Sequence, residues 1–143
     1  MSESELLFSW WASVEEAVIR GDGAAPAIPK GAPVEVQALA EAAVAEVRFD
    51  LDRAQQLLDG IGELEDSWQR VMRLLQLRLQ LRRCQGDLQI LSKLKENARL
   101  LVDELPDDEI PTRARTMALQ AIIHLQENHP GEALDVMADA MNE

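Results

Sequence analysis

Two histidines, one thiol, a dense set of carboxylates and one Gly-Asp-Gly stretch are the groups whose types and spacing bear on chemistry in this chain. His124 and His129 stand five apart across a helix end, with no third ligand placed nearby. A closed metal site needs more than that, so His124 reads as a partly buried residue between helices. Gly21-Asp22-Gly23 lacks the Lys-Ser/Thr that must follow a phosphate-cradling loop. Asp103-Glu104 and Asp107-Asp108-Glu109 lack the alternating oxygens and central glycine of a calcium loop, and read as solvated. Carboxylate pairs recur throughout a chain with 26 acidic residues, so spacing alone singles out no acid–base couple. Cys84 is the sole cysteine, which excludes an internal disulfide and a cysteine-clustered metal site. The expectation is a protein with no catalytic residue, no cofactor and no metal.

Binding residues are easier to find than reactive ones. Residues 67–102 carry a charge of +6, from Arg70, Arg73, Arg78, Arg82, Arg83, Lys93, Lys95 and Arg99 against Asp87 and Glu96. The rest of the chain carries −18, for a net charge of −12. Such a balance argues against direct nucleic-acid binding, which relies on cations that displace condensed counterions. Two readings of the basic segment stand side by side. Acidic helices pack against it and neutralise it, or Arg70, Arg73, Arg78 and Arg82 form an exposed stripe that docks an acidic protein. Trp10 and Trp11 are the second candidate contact. Neighbouring helical positions point about 100° apart, so two adjacent indoles do not share one narrow stripe. Either both bury into a broad cap, or one meets another chain as a tryptophan hot spot. Trp68 has the same two readings.

The elements that position these residues are helical. With 143 residues and 47% hydrophobic content, but no Tyr, two Phe and three Trp, the core must come from Leu, Ala, Val, Ile and Met. That composition favours helix over sheet. Apolar residues at three- and four-residue steps predict a first helix over 4–20, followed by a Pro/Gly linker over 21–33. Helices two to seven are expected over 34–48, 51–59, 64–85 and 87–104, from about 110, and over 132–141. Pro33 suits a first turn, Asp50 reads as the cap of the third helix, and Asn128-His129-Pro130-Gly131 reads as a turn. In the fourth helix Trp68, Val71, Met72, Leu75, Leu79 and Arg82 follow one face, and Leu74, Leu77 and Leu81 extend the apolar stripe sideways. A helix of that kind fits between two neighbours.

A unit recurs. A turn or helix-start residue precedes Ala54, Leu91 and Ala133, and each heads an apolar stripe, at intervals of 37 and 42 residues. Recurrence at this period marks stacked helical hairpins. The pairs Ala42 with Ala54, Leu79 with Leu91, and Ala121 with Ala133 are each 12 apart. With Asp50, Gly86-Asp87 and Pro130-Gly131-Glu132 at the turns, residues 34–142 resemble tetratricopeptide-type repeats. The resemblance implies a single all-α domain over 1–143, with three stacked antiparallel hairpins in a right-handed superhelix and about seven helices. Leu75-Gln76-Leu77-Arg78 to Cys84-Gln85-Gly86-Asp87 is similar to the superhelical sensor region of maltose-regulator-type LuxR-family transcription activators. That likeness implies a non-catalytic adaptor or sensor in bacterial transcription control, whose partner is another protein or peptide segment. An acidic secretion-type chaperone that shields a hydrophobic client is the alternative.

The two apolar ends of a repeat array need covering, which also admits a homodimer. Met1-Ser2-Glu3-Ser4-Glu5 has no basic leader region, and no apolar run reaches the roughly 20 residues of a membrane span. A cytoplasmic protein with no membrane contact is therefore expected.

Overall fold

The α4–α5 turn shows how local chemistry sets the helices. Gln85 and Gly86 take positive φ values of 50° and 81°, reversing the chain after Cys84. The Asp87 carboxylate then accepts from the Gln89 and Ile90 amides at 3.0 and 3.2 Å, satisfying two donors that open the next helix. In the computed structural model, residues 3–20, 31–106, 109–127 and 130–141 are described.

Among them lie seven helices and no strand: α1 (Glu3–Arg20), α2 (Val34–Val47), α3 (Leu51–Asp59), α4 (Asp66–Arg83), α5 (Leu88–Glu104), α6 (Ile110–Gln126) and α7 (Pro130–Met141). The fold is all-α and built of helical hairpins. Most of the expected linker, Asp107-Asp108 and Asn128-His129 lie outside the described residues.

Two helix ends and one cap differ from expectation for physical reasons. Pro130 and Gly131 belong to α7 rather than to a turn, because proline's fixed φ suits the first helical position. Helix α4 ends two residues early, since Gln85 has left the helical region. Asp50 occupies the cap position of α3, yet its side chain makes no capping hydrogen bond. The backbone there closes α2 instead. The Asp50 amide donates to the Ala45 carbonyl at 2.9 Å and the Phe49 amide to the Glu46 carbonyl at 3.1 Å. This paired closure normally wants glycine in the left-handed position, and Phe49 holds it at φ 60°.

The chain divides into two compact units, residues 1–64 and 65–143. In the first, α1 packs on α2 and α2 on α3. Val14, Ala17, Val36, Leu39, Ala40, Ala43, Ala54 and Leu58 are buried. Trp10 and Trp11 are both buried as well, with ring centroids 6.1 Å apart and planes tilted by 60°. Of the two readings, burial of both is the one found. The Trp11 Nε1–H donates to Glu15 Oε1 at 2.8 Å, one turn along, so the indole enters the interior with its polar group satisfied.

In the second unit α5 packs between α4 and α6, α6 also touches α4, and α7 packs on α6. Leu74, Leu77, Leu81 and Cys84 of the α4 region meet Leu91, Leu94, Ala98, Leu101 and Leu105 of α5 and its end, with Leu119 and Ile123 of α6. Along α4, Met72 is half-buried and Arg82 exposed, while Trp68, Val71, Leu74, Leu75, Leu77, Leu79 and Leu81 are buried. So are all six residues of the 12-apart pairs, Ala42, Ala54, Leu79, Leu91, Ala121 and Ala133.

Two substitutions test this account in urea unfolding. Leu101→Ala opens a void in the α5 core and lowers stability by about 3 kcal/mol. Phe49→Gly relieves a left-handed residue whose side chain is largely exposed and raises stability by about 1 kcal/mol. An unchanged midpoint for either rejects the corresponding reading.

Candidate functional site

The basic segment singled out by charge lies on α4 and α5, and its cations reach carboxylates on α5 and at the residues flanking α6. Arg70 Nε donates to Glu109 Oε2 at 2.7 Å, and its Nη2 donates to Oε1, so the guanidinium grips the carboxylate with two parallel bonds. Both side chains are largely buried, at 18% and 16% exposure. Planar fork recognition of this kind is the strong form of ion pair. It ties α4 to the residue that starts α6. The Arg70 hydrogen bond holds the Glu109 carboxyl below the usual carboxylate range, against an opposing effect of burial, and Ser67 adds a smaller bond in the same direction.

Further pairs follow along the same helices. Arg73 Nη1 donates to Glu104 on the surface. Lys95 Nζ lies 3.0 Å from Glu127 Oε1, joining α5 to the end of α6. Arg99 binds Glu96 and Asp103 along the exposed face of α5, the latter at 3.0 Å. The hydrogen bond between them lowers the Glu96 pKa and raises that of Arg99. Exposed pairs such as these contribute little each. Arg70 and Arg73 are thus engaged by the fold's own carboxylates, as the neutralisation reading expects. Arg78 is half-buried on α4, and Arg82 and Arg83 stand exposed in its last turn, where cations suit the helix C-terminus.

A cavity of about 190 Å³ opens beside these residues, lined by Arg73, Gln76, Leu77, Gln80 and Asn97. Pockets that enclose small molecules run to roughly 300–1,000 Å³, so this one fits a side chain rather than a cofactor. His124 is half-buried on α6, and His129 lies outside the described residues. Among the described residues, no cluster of three His, Cys, Asp or Glu is placed to hold a metal ion. Nor is any described helix long and apolar enough to cross a membrane.

Sequence reasoning passed over a different surface. Leu134 is 72% exposed, Leu125 58%, Ile122 45% and Met137 42%, all on α6 and α7. Their helical spacing hid them, because an amphipathic pattern does not say which part of an apolar arc finds a neighbour. Comparison of the chain with protein-family models, curated proteins and solved structures finds no match.

The Arg70–Glu109 grip has a pH signature. A folded carboxyl that titrates below its unfolded range gives stability that is fully present above about pH 4.3 and is lost as pH falls through the lower folded value. Glu109→Gln should cost about 2 kcal/mol at pH 7, with the deficit shrinking as both proteins are acidified. Urea titrations at neutral and acidic pH measure this, and a deficit independent of pH rejects it.

Proposed function

We propose that the chain is a non-catalytic protein–protein interaction module, a regulatory adaptor or sensor domain of the kind used in bacterial transcription control, working in the cytoplasm. The observation that carries this reading is the burial of all six residues of the 12-apart pairs on successive helices. It supports the tetratricopeptide-type likeness of residues 34–142, and with it a rigid helical scaffold that binds by its outer surface. The transcriptional setting rests on the likeness of residues 75–87 to activator sensor regions. The stripe of Arg70, Arg73, Arg78 and Arg82 is the surface for which an acidic partner is proposed.

A second reading, an acidic secretion-type chaperone, is favoured by the exposed apolar side chains of α6 and α7. It requires stoichiometric co-purification with one exported client.

Capture with the full chain as bait, followed by mass spectrometry and stoichiometry, tests the module reading. One reproducible regulatory partner supports it, one exported client supports the chaperone, and the lack of any stoichiometric partner rejects both. With the captured partner in hand, Arg78→Glu/Arg82→Glu should slow association about tenfold and flatten its salt dependence. If neither the rate nor the salt response moves, the arginines do not steer binding.

A further inference from the structure

The cavity between α4 and α5 is lined by hydrogen-bond donors and by no carboxylate. Arg73, Gln76 and Gln80 share one face of α4 at steps of three and four, and Asn97 meets them from α5. Buried Leu77 forms the apolar wall. Among the described residues, the carboxamides of Gln76, Gln80 and Asn97 make no side-chain hydrogen bond. Arg73 donates to Glu104 through Nη1, which leaves its Nε and Nη2 hydrogens for a second acceptor. Both members of that pair are well exposed, at 38% and 56%, so the bond is weak and exchanges readily.

Chemistry narrows the occupant. The guanidinium repels a cationic side chain, whereas a carboxylate accepts from Arg73 and from the carboxamide N–H groups together. Leu77 offers a surface for the methylenes of a glutamate. The carboxylates nearest the groove are already engaged: Glu104 by Arg73, Glu96 by Arg99, and Asp87 by two amides at the start of α5. One turn before Asn97, Lys93 is exposed and has no ion pair among the described residues. At physiological salt a charge is felt over about 8 Å, so these local cations outweigh the distant acidic residues of the chain. A cavity the size of a side chain leaves the rest of its ligand outside, along the groove. We propose that the α4–α5 groove binds an acidic segment of another protein. One glutamate side chain sits in the cavity on Arg73, Gln76, Gln80 and Asn97, and a further carboxylate lies toward Lys93. The proposal rests on the module reading and deepens it by selecting Arg73 from the basic stripe as the anchor. Arg78 and Arg82 stand two residues beyond Gln76 and Gln80, about 200° round the helix, and so outside the groove.

The probe is a Glu/Ser peptide of about six residues, long enough to run past the cavity when extended. Titration calorimetry would compare it with a Gln/Ser peptide and with free glutarate at the same carboxylate concentration. The expected result is binding of the Glu/Ser peptide alone. Gln76→Glu/Asn97→Asp, which keeps the shape of both side chains, should weaken it about tenfold, with helicity and urea midpoint unchanged. Arg78→Glu/Arg82→Glu changes the net charge twice as much, yet should weaken it less.

No binding of the Glu/Ser peptide overturns the proposal, as does equal affinity for the Gln/Ser peptide. Equal binding of glutarate also overturns it, because the site would then take a free anion rather than a segment. So does weakening that follows net charge alone, with Arg78→Glu/Arg82→Glu the more severe variant. A captured partner indifferent to Gln76→Glu/Asn97→Asp sinks this inference and leaves the module reading standing. A bait that captures nothing sinks the module reading itself, and this inference with it.

Discussion

Aliphatic contact along α5 is the constraint from which the rest of the second unit follows. Leu91, Leu94, Ala98 and Leu101 recur at three- and four-residue steps and are almost completely buried. A stripe that wide must be covered from more than one direction. Helix α4 supplies Leu74, Leu77 and Leu81, and α6 supplies Leu119 and Ile123. With few aromatic side chains available, cohesion depends on the close fit of many small aliphatic contacts rather than on a few large rings. Ala98 lets a neighbouring backbone approach where a larger side chain would hold it off. The positions of α6, and through it α7, are consequences of how that stripe is closed.

Electrostatics then act on a scaffold already set by packing. The segment richest in arginine lies among helices whose surroundings are acidic, and Arg70, Arg73 and Lys95 bridge to Glu109, Glu104 and Glu127. The buried fork at Arg70 differs in kind from the others. It ties α4 to the residue that starts α6, whereas the exposed pairs contribute little each. Helix α7, by contrast, carries Glu132, Asp135 and Asp139 and no cation.

The seven helices were legible because each begins or ends on a residue with a strong local preference. Asp87 caps as its type suggests, and Leu-rich periodicity locates α4 and α5 within two residues. Phe49 was not legible, because no local signal favours an aromatic residue in a left-handed position; the closing hydrogen bonds of α2 impose it. Asp50 misled for the related reason that a capping residue type does not guarantee a capping bond. The partners of Arg70 and Arg73 lie 39 and 31 residues away. Charge separation along the chain hinted at their neutralisation, but only the fold selects which carboxylate meets which arginine. The α6–α7 face escaped notice because periodicity reports how much of a helix is apolar, not how much of that arc is covered.

The single thiol provides a further handle. Cys84 is buried, and its Sγ lies 3.2 Å from the Leu81 carbonyl at the end of α4, among the leucines of the core. A reagent in solvent therefore reaches the sulfur only when that corner opens. The labelling rate of one native side chain consequently tracks the opening equilibrium at the α4–α5 corner, with no dye or engineered cysteine added.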